Sequence, residues 1–329
     1  MKIGWKKGLK IAGGVIVGVP LLLIVAALVK FYGLSPKSRP APVMTAPTNA
    51  EAIERGRYLV HHVAACIGCH SNIREDVPGE PPVEGKLGAG RDFGEVPGSP
   101  VHIKASNITP DKENGLGGWT DGEIARAIRE GVSKDGRGLF PQMPYMTYRE
   151  TLSDGEVLDI IAYLKTLKPL PDKTQRTEVG FPVSMFIRGV PTPLETPPPP
   201  APSPSDKMAR GKWLLKVASC HDCHDSVDGK MAKIPGKEFG GGFKFELPGG
   251  KGTVYAPNIS SDQASGIGSY SNEDIKRALT EGKGKSGKNL YVMPWSYYKG
   301  MTNEDMDALV AALREEPAVV NIVPPSTVK

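Results

Sequence analysis

Two five-residue segments of one pattern contain all four cysteines of the chain. They are Cys66-Ile67-Gly68-Cys69-His70, the first motif, and Cys220-His221-Asp222-Cys223-His224, the second motif. In this pattern two thiols are spaced to bond the two vinyl groups of one porphyrin, and the histidine that follows is placed to bind the iron. Each motif therefore predicts one covalently bound haem c. The predicted attachment residues and proximal ligands are Cys66, Cys69, His70, Cys220, Cys223 and His224.

A Cys-x-x-Cys pair also occurs in zinc sites and in redox-active dithiols. One four-cysteine zinc site would need both pairs, and about 150 residues separate them. A redox dithiol is expected near a strand-helix-strand pattern, which this sequence lacks. Because a histidine directly follows each pair, the sequence favours haem attachment over both alternatives.

The length and composition predict a folded chain with more than one domain. The chain has 329 residues, of which 39% are hydrophobic and 23% charged, as in ordinary globular proteins. The 39 glycines and 31 prolines indicate many turns and linkers. A covalent haem would supply apolar surface that such loop-rich domains need not provide themselves.

The net charge of +5 comes from the N-terminus. Residues 1–50 contain seven lysines and arginines and no acidic residue, which leaves 34 basic and 36 acidic residues in the rest of the chain. The part expected to carry the haems is therefore nearly neutral. This charge distribution gives no support to a nucleic-acid partner.

Residues 11–29 form an uncharged, largely apolar run. Nineteen residues of helix at about 1.5 Å each reach roughly 28 Å, which is close to the thickness of a membrane's hydrocarbon core. Lysines are concentrated before this run, so the positive-inside rule predicts a single-pass anchor in the cytoplasmic membrane with the haem domains on the periplasmic side. The alternative is a cleaved signal peptide, whose apolar core is usually shorter. Both alternatives export the haem domains.

The sequence also repeats itself at an offset near 151 residues. Short segments that follow each motif recur in the same order. The matching pairs are Asn107-Ile108 with Asn258-Ile259, Trp119-Thr120 with Tyr270-Ser271, and Met143-Pro144 with Met293-Pro294. The repeat predicts two copies of one haem domain.

Proline-rich segments separate the predicted parts of the chain. Such segments favour an extended, semi-rigid conformation, typical of a stalk or a spacer. The predicted parts are a membrane anchor at 1–34, a stalk at 35–49, a first domain at 50–170, a linker at 171–205, a second domain at 206–318 and a tail at 319–329.

The predicted fold is mainly α, with two tandem class I-like domains, small β-hairpin insertions and the N-terminal transmembrane helix before them. One helix should lead into each motif, at Arg55–Ala65 and at Arg210–Ser219. Later helices should begin at positions where a serine or threonine precedes an acidic residue by three, which is a capping box. Those starts are Thr120, Ser153, Ser271 and Thr302, and the hairpins are predicted within Glu95–Ala105 and Phe243–Ala256.

A histidine below the iron leaves the opposite face for a sixth ligand. In the first copy the candidates are Met143, Met146 and His102. Only Met143 has an equivalent in the second copy, Met293, and both precede a proline that favours an extended backbone. We therefore predict Met143 and Met293 as the sixth ligands, where a soft thioether favours ferrous iron.

Three further histidines are interpreted as structural or solvent-facing, and recurring asparagines and tyrosines as supporting residues. His61 and His62 precede the first motif and have no histidine equivalents, and His221 lies between the cysteines of the second motif. Asn107 and its equivalent Asn258 either bind a haem propionate or fix a turn. The recurring Tyr148 and Tyr298 are predicted to pack in the core.

The first motif, Asn-Ile-Thr-Pro-Asp at 107–111, Gly-Gly-Trp-Thr at 117–120 and Met-Pro-Tyr at 143–145 together resemble the membrane-associated multihaem cytochrome c family. That family includes cytochrome subunits of periplasmic alcohol, gluconate and aldehyde dehydrogenases. The resemblance implies class I cytochrome domains with His/Met ligation, here His70 with Met143 and His224 with Met293. Those subunits commonly hold three haems, whereas this chain has two motifs.

These features predict a diheme protein that passes single electrons between a donor and an acceptor in a respiratory or photosynthetic chain. The partners expected for it are a periplasmic dehydrogenase, a cytochrome bc-type complex, a reaction centre or a terminal oxidase. No catalytic acid, base or nucleophile is predicted, so an electron carrier or a complex subunit is favoured over an enzyme. The alternative is a diheme redox enzyme such as a peroxidase, which requires an open iron face.

Overall fold

The computed structural model describes residues 5–33, 36–75, 77, 79–173, 176–229, 231–247 and 250–328. In the N-terminal helix and the turn after it, side chains are described for residues 14–30 and for residue 33. The described residues do not include the start of the predicted stalk at residue 35 or the hairpin turn at 248–249. The described side chains do not include the lysines before the predicted membrane span.

The chain begins with helix α1 (Trp5–Leu28), which continues as a π-helical turn at Val29–Gly33. Its described apolar side chains are largely exposed, with Ile16 71% and Leu22 69% accessible. Among the residues that the structure describes, no helix combines the length and the apolar character needed to cross a membrane. The predicted spanning helix at residues 11–29 is therefore helical but is not supported as a membrane span.

The segment predicted as a stalk is extended, but it does not stand clear of the protein. The backbone N–H of Ala46 donates to the Asp121 carboxylate at 2.7 Å, and Arg39 forms a 2.8 Å ion pair with Glu130. Asp121 begins and Glu130 ends one helix of the first half. The segment therefore runs along that helix, where the partners of its backbone lie.

The first half of the molecule is built from five helices among the described residues. They are α2 (Ala50–Tyr58), α3 (Cys66–His70), α4 (Asp121–Glu130), α5 (Tyr145–Thr151) and α6 (Asp154–Leu164). Helix α2 begins earlier than predicted because Asn49 caps it, accepting from the Ala52 N–H at 2.8 Å. A π-helical turn at Leu59–Val63 then leads to the first motif. Capping boxes at Thr120 and Ser153 start α4 and α6, as predicted.

The connector contains a short helix that the sequence did not predict, α7 (Val183–Arg188). After it, the proline-rich segment is extended, as predicted, but it packs against the first half. The Arg149 guanidinium donates to the Pro193 carbonyl at 2.9 Å, and the Glu156 carboxylate accepts from the Ala201 N–H at 3.0 Å. The connector is therefore bound along the first half and does not hold the two halves apart.

The second half repeats the order of the first. Its helices are α8 (Lys207–Val217), α9 (Cys220–His224), α10 (Asn272–Glu281), α11 (Trp295–Tyr298) and α12 (Asn303–Glu315). The predicted capping box at Ser271 starts α10, and the Thr302 side chain caps α12. The same local signals therefore produce the same helices in both copies.

Each half also has a small antiparallel sheet that contains the predicted hairpin. The strands are β1 (Arg91–Glu95), β2 (Val101–Ala105), β3 (Glu178–Val179), β4 (Lys244–Leu247), β5 (Gly252–Tyr255) and β6 (Thr327–Val328). The third strand of each sheet comes from the segment after the last helix of its half, so β3 pairs with β2 and β6 with β5. The sequence did not predict β3 or β6.

The first and last helices of each half cross at a glycine. A Cβ atom on Gly56 would lie 1.8 Å from the Asp159 carbonyl oxygen, and one on Gly211 would lie 2.0 Å from the Ala308 carbonyl oxygen. No side chain fits at such distances, so these glycines permit close packing of α2 on α6 and of α8 on α12. The arginine before each glycine forms an ion pair with the last helix, Arg55 with Asp159 at 2.6 Å and Arg210 with Asp305 at 2.7 Å.

The buried apolar residues of the two halves form one continuous core. Helix α5 of the first half lies against α8 of the second, and helix α11, the counterpart of α5, lies against the π-helical turn before the first motif. In each half, the helix that follows the Met-Pro pair thus packs on the helical segment that precedes the motif of the other half. This reciprocal packing brings the two haem motifs to the same interface.

Candidate haem sites

The two motifs adopt the same local structure. Each forms a short helix that starts at its first cysteine, directly after a non-glycine residue in the left-handed region: Ala65 has φ 48° and Ser219 has φ 56°. Non-glycine residues rarely adopt this conformation, and they do so where the surroundings enforce it. On the helix that follows, the two cysteines are three residues apart and share one face.

The imidazoles of the two motifs are held by backbone carbonyl groups. His70 Nδ1 lies 2.7 Å from the Ser106 carbonyl oxygen, and His224 Nδ1 lies 2.9 Å from the Pro257 carbonyl oxygen. A carbonyl only accepts, so Nδ1 carries the proton and Nε2 keeps its lone pair. Burial lowers the pKa of both histidines, which favours the neutral imidazole that binds iron. Both sites therefore fit a proximal ligand whose orientation is fixed.

No disulfide joins the four cysteines, all of which lie in the described part of the chain. Burial raises the pKa of Cys66 and of Cys220 to about 12 and that of Cys223 to about 11, so these groups are protonated at neutral pH. Within the described part of the chain, no three or more His, Cys, Asp or Glu side chains gather where they could hold a metal ion. Each cysteine pair, with the histidine that follows it, fits attachment of one porphyrin.

The two methionines predicted as sixth ligands occupy the same kind of turn. Met143 and Met293 are partly buried against the core, and the following prolines have almost identical backbone angles, φ −79° and ψ 46° at Pro144 and φ −82° and ψ 46° at Pro294. Of the rejected candidates, Met146 is 54% exposed and His102 pairs with Asp92 at 2.6 Å. The structure thus places both methionines directly before prolines of the same backbone conformation.

An aromatic residue two positions after each methionine fixes this turn. A Cβ on Gly131 would lie 2.6 Å from the Tyr145 ring, and a Cβ on Gly282 would lie 2.2 Å from the Trp295 ring. Both glycines end a helix with positive φ, 67° at Gly131 and 62° at Gly282. The aromatic rings therefore pack where only a glycine leaves room, and this contact positions the methionine segment against α4 or α10.

Asn107 and Asn258 act as turn residues, which was one of the two roles predicted for them. The Asn107 side-chain oxygen accepts from the Thr109 N–H at 2.9 Å, and its amide donates to the Leu170 carbonyl at 2.7 Å. Asn258 makes the equivalent bonds to Ser260 and Val319, at 3.0 Å and 2.7 Å. Each asparagine directly follows the residue whose carbonyl holds the proximal histidine. These side chains therefore position the histidines indirectly. The recurrence of Asn-Ile indicated that the asparagines matter, but it did not predict this role.

The remaining recurring or conspicuous residues have structural contacts. Tyr148 and Tyr298 are 4% and 6% exposed, and their hydroxyl groups donate to the Ala64 and Ala218 carbonyls at 3.4 Å and 2.8 Å. His61 contacts the Tyr163 hydroxyl, His62 the Tyr297 carbonyl and His221 the Asp225 carboxylate. These contacts agree with the structural roles predicted for all five residues.

Residues 53–168 match the cytochrome c family. Together with the motif and histidine geometry just described, this match defines the class of the first half: it is a cytochrome c domain, which implies covalently bound haem c. The match covers the first half of the repeat.

Among characterised proteins the chain resembles several cytochrome c subunits of dehydrogenases. It is 30% identical over 297 residues to the fructose dehydrogenase cytochrome subunit of Gluconobacter japonicus, covering 87% of this chain and 57% of that protein. It is 28% identical over 281 residues to the cytochrome c subunit of the alcohol dehydrogenase (quinone) of Gluconobacter oxydans, covering 81% and 55%. A diheme cytochrome c-type protein of Cereibacter sphaeroides is 26% identical over 217 residues, covering 65% and 71%. The matched regions thus span little more than half of each dehydrogenase subunit.

Proposed function

We propose that this protein is a diheme electron carrier, with one haem c on each motif. The first would be held by Cys66, Cys69, His70 and Met143, and the second by Cys220, Cys223, His224 and Met293. The observation that carries the proposal is the repetition of one arrangement, in which each motif histidine is bonded through Nδ1 to a backbone carbonyl, at 2.7 Å and 2.9 Å. The similarity to a diheme cytochrome supports the count of two.

When bound, the haem supplies reversible one-electron chemistry at its iron. The chain's own residues attach, orient and enclose the group. The cysteine pair anchors it, and the carbonyl bond at Nδ1 directs the Nε2 lone pair of the histidine toward the iron. The methionine of the Met-Pro turn would supply the sixth ligand to that iron. Because both halves carry this turn, neither half favours the open iron face that a peroxidase needs.

A dehydrogenase is the partner that the comparisons support best. The most similar relatives described above are named as cytochrome subunits of fructose and alcohol dehydrogenases. We propose that this chain likewise receives electrons from a periplasmic dehydrogenase and passes them to an acceptor in a respiratory chain. Copurification from mild detergent followed by mass analysis would test the assignment, because a stable dehydrogenase subunit should accompany the cytochrome in a fixed ratio.

Anchoring at the cytoplasmic membrane remains part of the proposal and rests on the N-terminal segment. Residues 11–29 carry no charge, and side chains such as Ile16, Leu22 and Leu23 are exposed in the folded protein. An exposed apolar run of this size favours contact with lipid. Alkaline carbonate extraction of membranes would test it: an anchored protein stays in the pellet, and a variant lacking residues 1–34 is released.

The ligand assignment is tested by spectroelectrochemical titration of the haem-loaded protein. We expect two reversible one-electron waves and the weak far-red absorption band of a methionine–ferric haem bond. Met143→Ala should lower the first potential and leave the second nearly unchanged, because the thioether raises the potential of the iron that it binds. An unaltered spectrum in that variant would remove Met143 from the site. Intact mass should show two attached haems.

A further inference from the structure

The segment that carries Met293 touches the first half of the molecule. A Cβ atom on Gly79 would lie 2.9 Å from the Ser296 Cβ and from the Trp295 ring, so these residues are in direct contact. The Ser296 hydroxyl donates to the Gly79 carbonyl at 2.5 Å, and the Tyr297 hydroxyl donates to the Glu80 carbonyl at 3.2 Å. Gly79 and Glu80 belong to the loop that follows the first motif, which we term the first motif loop.

Tyr297 also reaches the first motif itself. A Cβ on Gly68 would lie 3.0 Å from Tyr297 Cε2 and 3.1 Å from its Cζ, so the ring packs on the middle of the attachment helix. The neighbouring Tyr298 donates to the Ala218 carbonyl, two residues before Cys220. Two consecutive residues of α11 therefore contact the attachment segments of both haems.

The backbone next to Met293 is in a conformation that needs external support. Val292 has φ 70°, which is a genuine outlier for a β-branched residue. Such a conformation is unfavourable and persists only where the surroundings impose it. Val292 is itself 43% exposed, so its own side chain provides little of that support. On the other side of Met293, the contacts of α11 with Gly68, Gly79 and Glu80 hold the backbone in place.

On the other side of the molecule, the loop after the second motif lines a surface depression. Met231, in the loop that follows the second motif, lines an apolar depression of about 510 Å³ together with Phe140, Pro141 and Gln142, the residues directly before Met143. Met231 has φ 65°, and Glu80, at the matching position of the first motif loop, has φ 46°. Glu80 thus bonds to the methionine segment of the other half, whereas Met231 shares a surface depression with the residues before Met143.

We propose that the first half positions the sixth ligand of the second half, and that Tyr297 is a positioning residue for Met293 in addition to Trp295. This inference rests on the proposed function, in which Met293 binds the second haem. Since a thioether is a weak ligand, the position of its loop decides how firmly it stays on the iron. Tyr297 fixes that loop by packing on Gly68 and bonding to Glu80, so the ligation of the second haem depends on the attachment segment of the first.

The test uses the full-length, haem-loaded protein and compares Tyr297→Ala with Thr147→Ala, the equivalent position in the first half. In Tyr297→Ala we expect about half of the far-red band to be lost, since one of two haems is affected, with a lower potential for the second haem only. Intact mass should still show two haems. Thr147→Ala should keep the band and both potentials. A full band and two unchanged potentials in Tyr297→Ala would overturn the inference.

A parallel Met293→Ala variant separates the two levels of the argument. If it loses half of the band while Tyr297→Ala loses none, the positioning role is wrong and the ligand assignment stands. If Met293→Ala keeps the whole band, the ligand assignment is wrong and the inference falls with it.

Should Tyr297→Ala not fold, Tyr297→Phe keeps the ring and removes only the hydroxyl. Added imidazole should then displace the methionine of the second haem at about a fivefold lower concentration, the effect of one lost neutral hydrogen bond. The first haem should respond as in the wild type. Equal imidazole binding in the two proteins would refute the role of Tyr297.

Discussion

The hydroxyl group of Tyr58 donates a 2.7 Å hydrogen bond to the carboxylate of Asp305, in the last helix of the other half. Asp305 is 2% exposed and also binds Arg210 of its own half. The residue equivalent to Tyr58 is Trp213, whose ring N–H donates to the Thr151 carbonyl at 2.8 Å across the same interface. Matching aromatic residues therefore tie the halves together, and the molecule is one packed unit although a long connector joins its halves.

Removing the hydroxyl of Tyr58 should weaken this interface. Tyr58→Phe loses the bond to Asp305 and the 3.2 Å bond from the Thr302 N–H, while Asp305 keeps Arg210 as its partner. We expect the free energy of unfolding in urea to fall by about 1–2 kcal/mol. Tyr291→Phe is the control, because Tyr291 is 45% exposed and should stay within about 0.5 kcal/mol of the wild type. Equal stability of the two variants would contradict the proposed tie.

The crossing glycines should tolerate no side chain. In Gly56→Ala the new Cβ would meet the Asp159 carbonyl oxygen at 1.8 Å, so α2 and α6 must separate. We expect a loss of about 3 kcal/mol or more, or failure to fold. In Gly155→Ala the nearest atom is the Ser153 hydroxyl at 3.6 Å, and the helix should gain about 0.5–1 kcal/mol. Thermal unfolding checks both, and a normal melting temperature for Gly56→Ala would show that the helices adjust.

The stability of the protein should fall with decreasing pH in part because of His61. Burial lowers the pKa of His61 to about 4 from its ordinary value of 6.5. The unfolded chain therefore binds the proton first, so stability is lost as pH falls through 6.5 and the loss levels off near pH 4. After allowance for partial exposure of the ring, the loss amounts to about 2 kcal/mol.

Urea unfolding of the haem-loaded protein between pH 7 and pH 4 measures this effect. His61→Gln removes the titrating group, so its stability should decline less steeply over that interval than that of the wild type. Carboxylates titrate in both proteins, and the difference between the two curves isolates His61. Parallel curves would show that His61 accepts its proton in the folded state without penalty.

The asparagine beside the His70 acceptor should affect both folding and haem properties. Asn107→Ala leaves the buried Thr109 N–H and Leu170 carbonyl without these partners, which should cost about 2–3 kcal/mol. It should also shift the first reduction potential, because the Ser106 carbonyl that holds His70 is no longer fixed. Asn114→Ala, in a nearby loop, should change neither property. A destabilised Asn107→Ala protein with an unchanged first potential would limit Asn107 to folding.

Much of the site was predictable because its chemistry is local. Attachment of a porphyrin requires two thiols and an imidazole within five residues, and the sequence displays both sets. The capping boxes at Thr120 and Ser271 are equally local, since they involve residues three apart, and the structure confirms both. The repeat added the comparison that selected Met143 and Met293 over other candidates, and that ligation stays a prediction.

The sequence was less informative where contacts join distant segments. It did not predict α5, α7, α11, β3 or β6, because short elements of this kind form only where a neighbouring segment supplies the partner. The segments predicted as a stalk and a spacer are extended, but both lie against the first half, since buried polar groups there offer hydrogen bonds. The membrane span at residues 11–29 was predicted from an uncharged apolar run of sufficient length preceded by lysines, and it is not supported by the structure.

By itself, the sequence determined the haem attachment motifs and the capped helices, because each depends on residues close together in the chain, and its repeat revealed the duplication. Only the tertiary structure decided which carbonyl holds each histidine, how the halves meet and why Tyr297 lies against Gly68. Those contacts join residues tens to hundreds of positions apart. No spacing along the chain encodes them, because they arise when the packed core brings separate helices together.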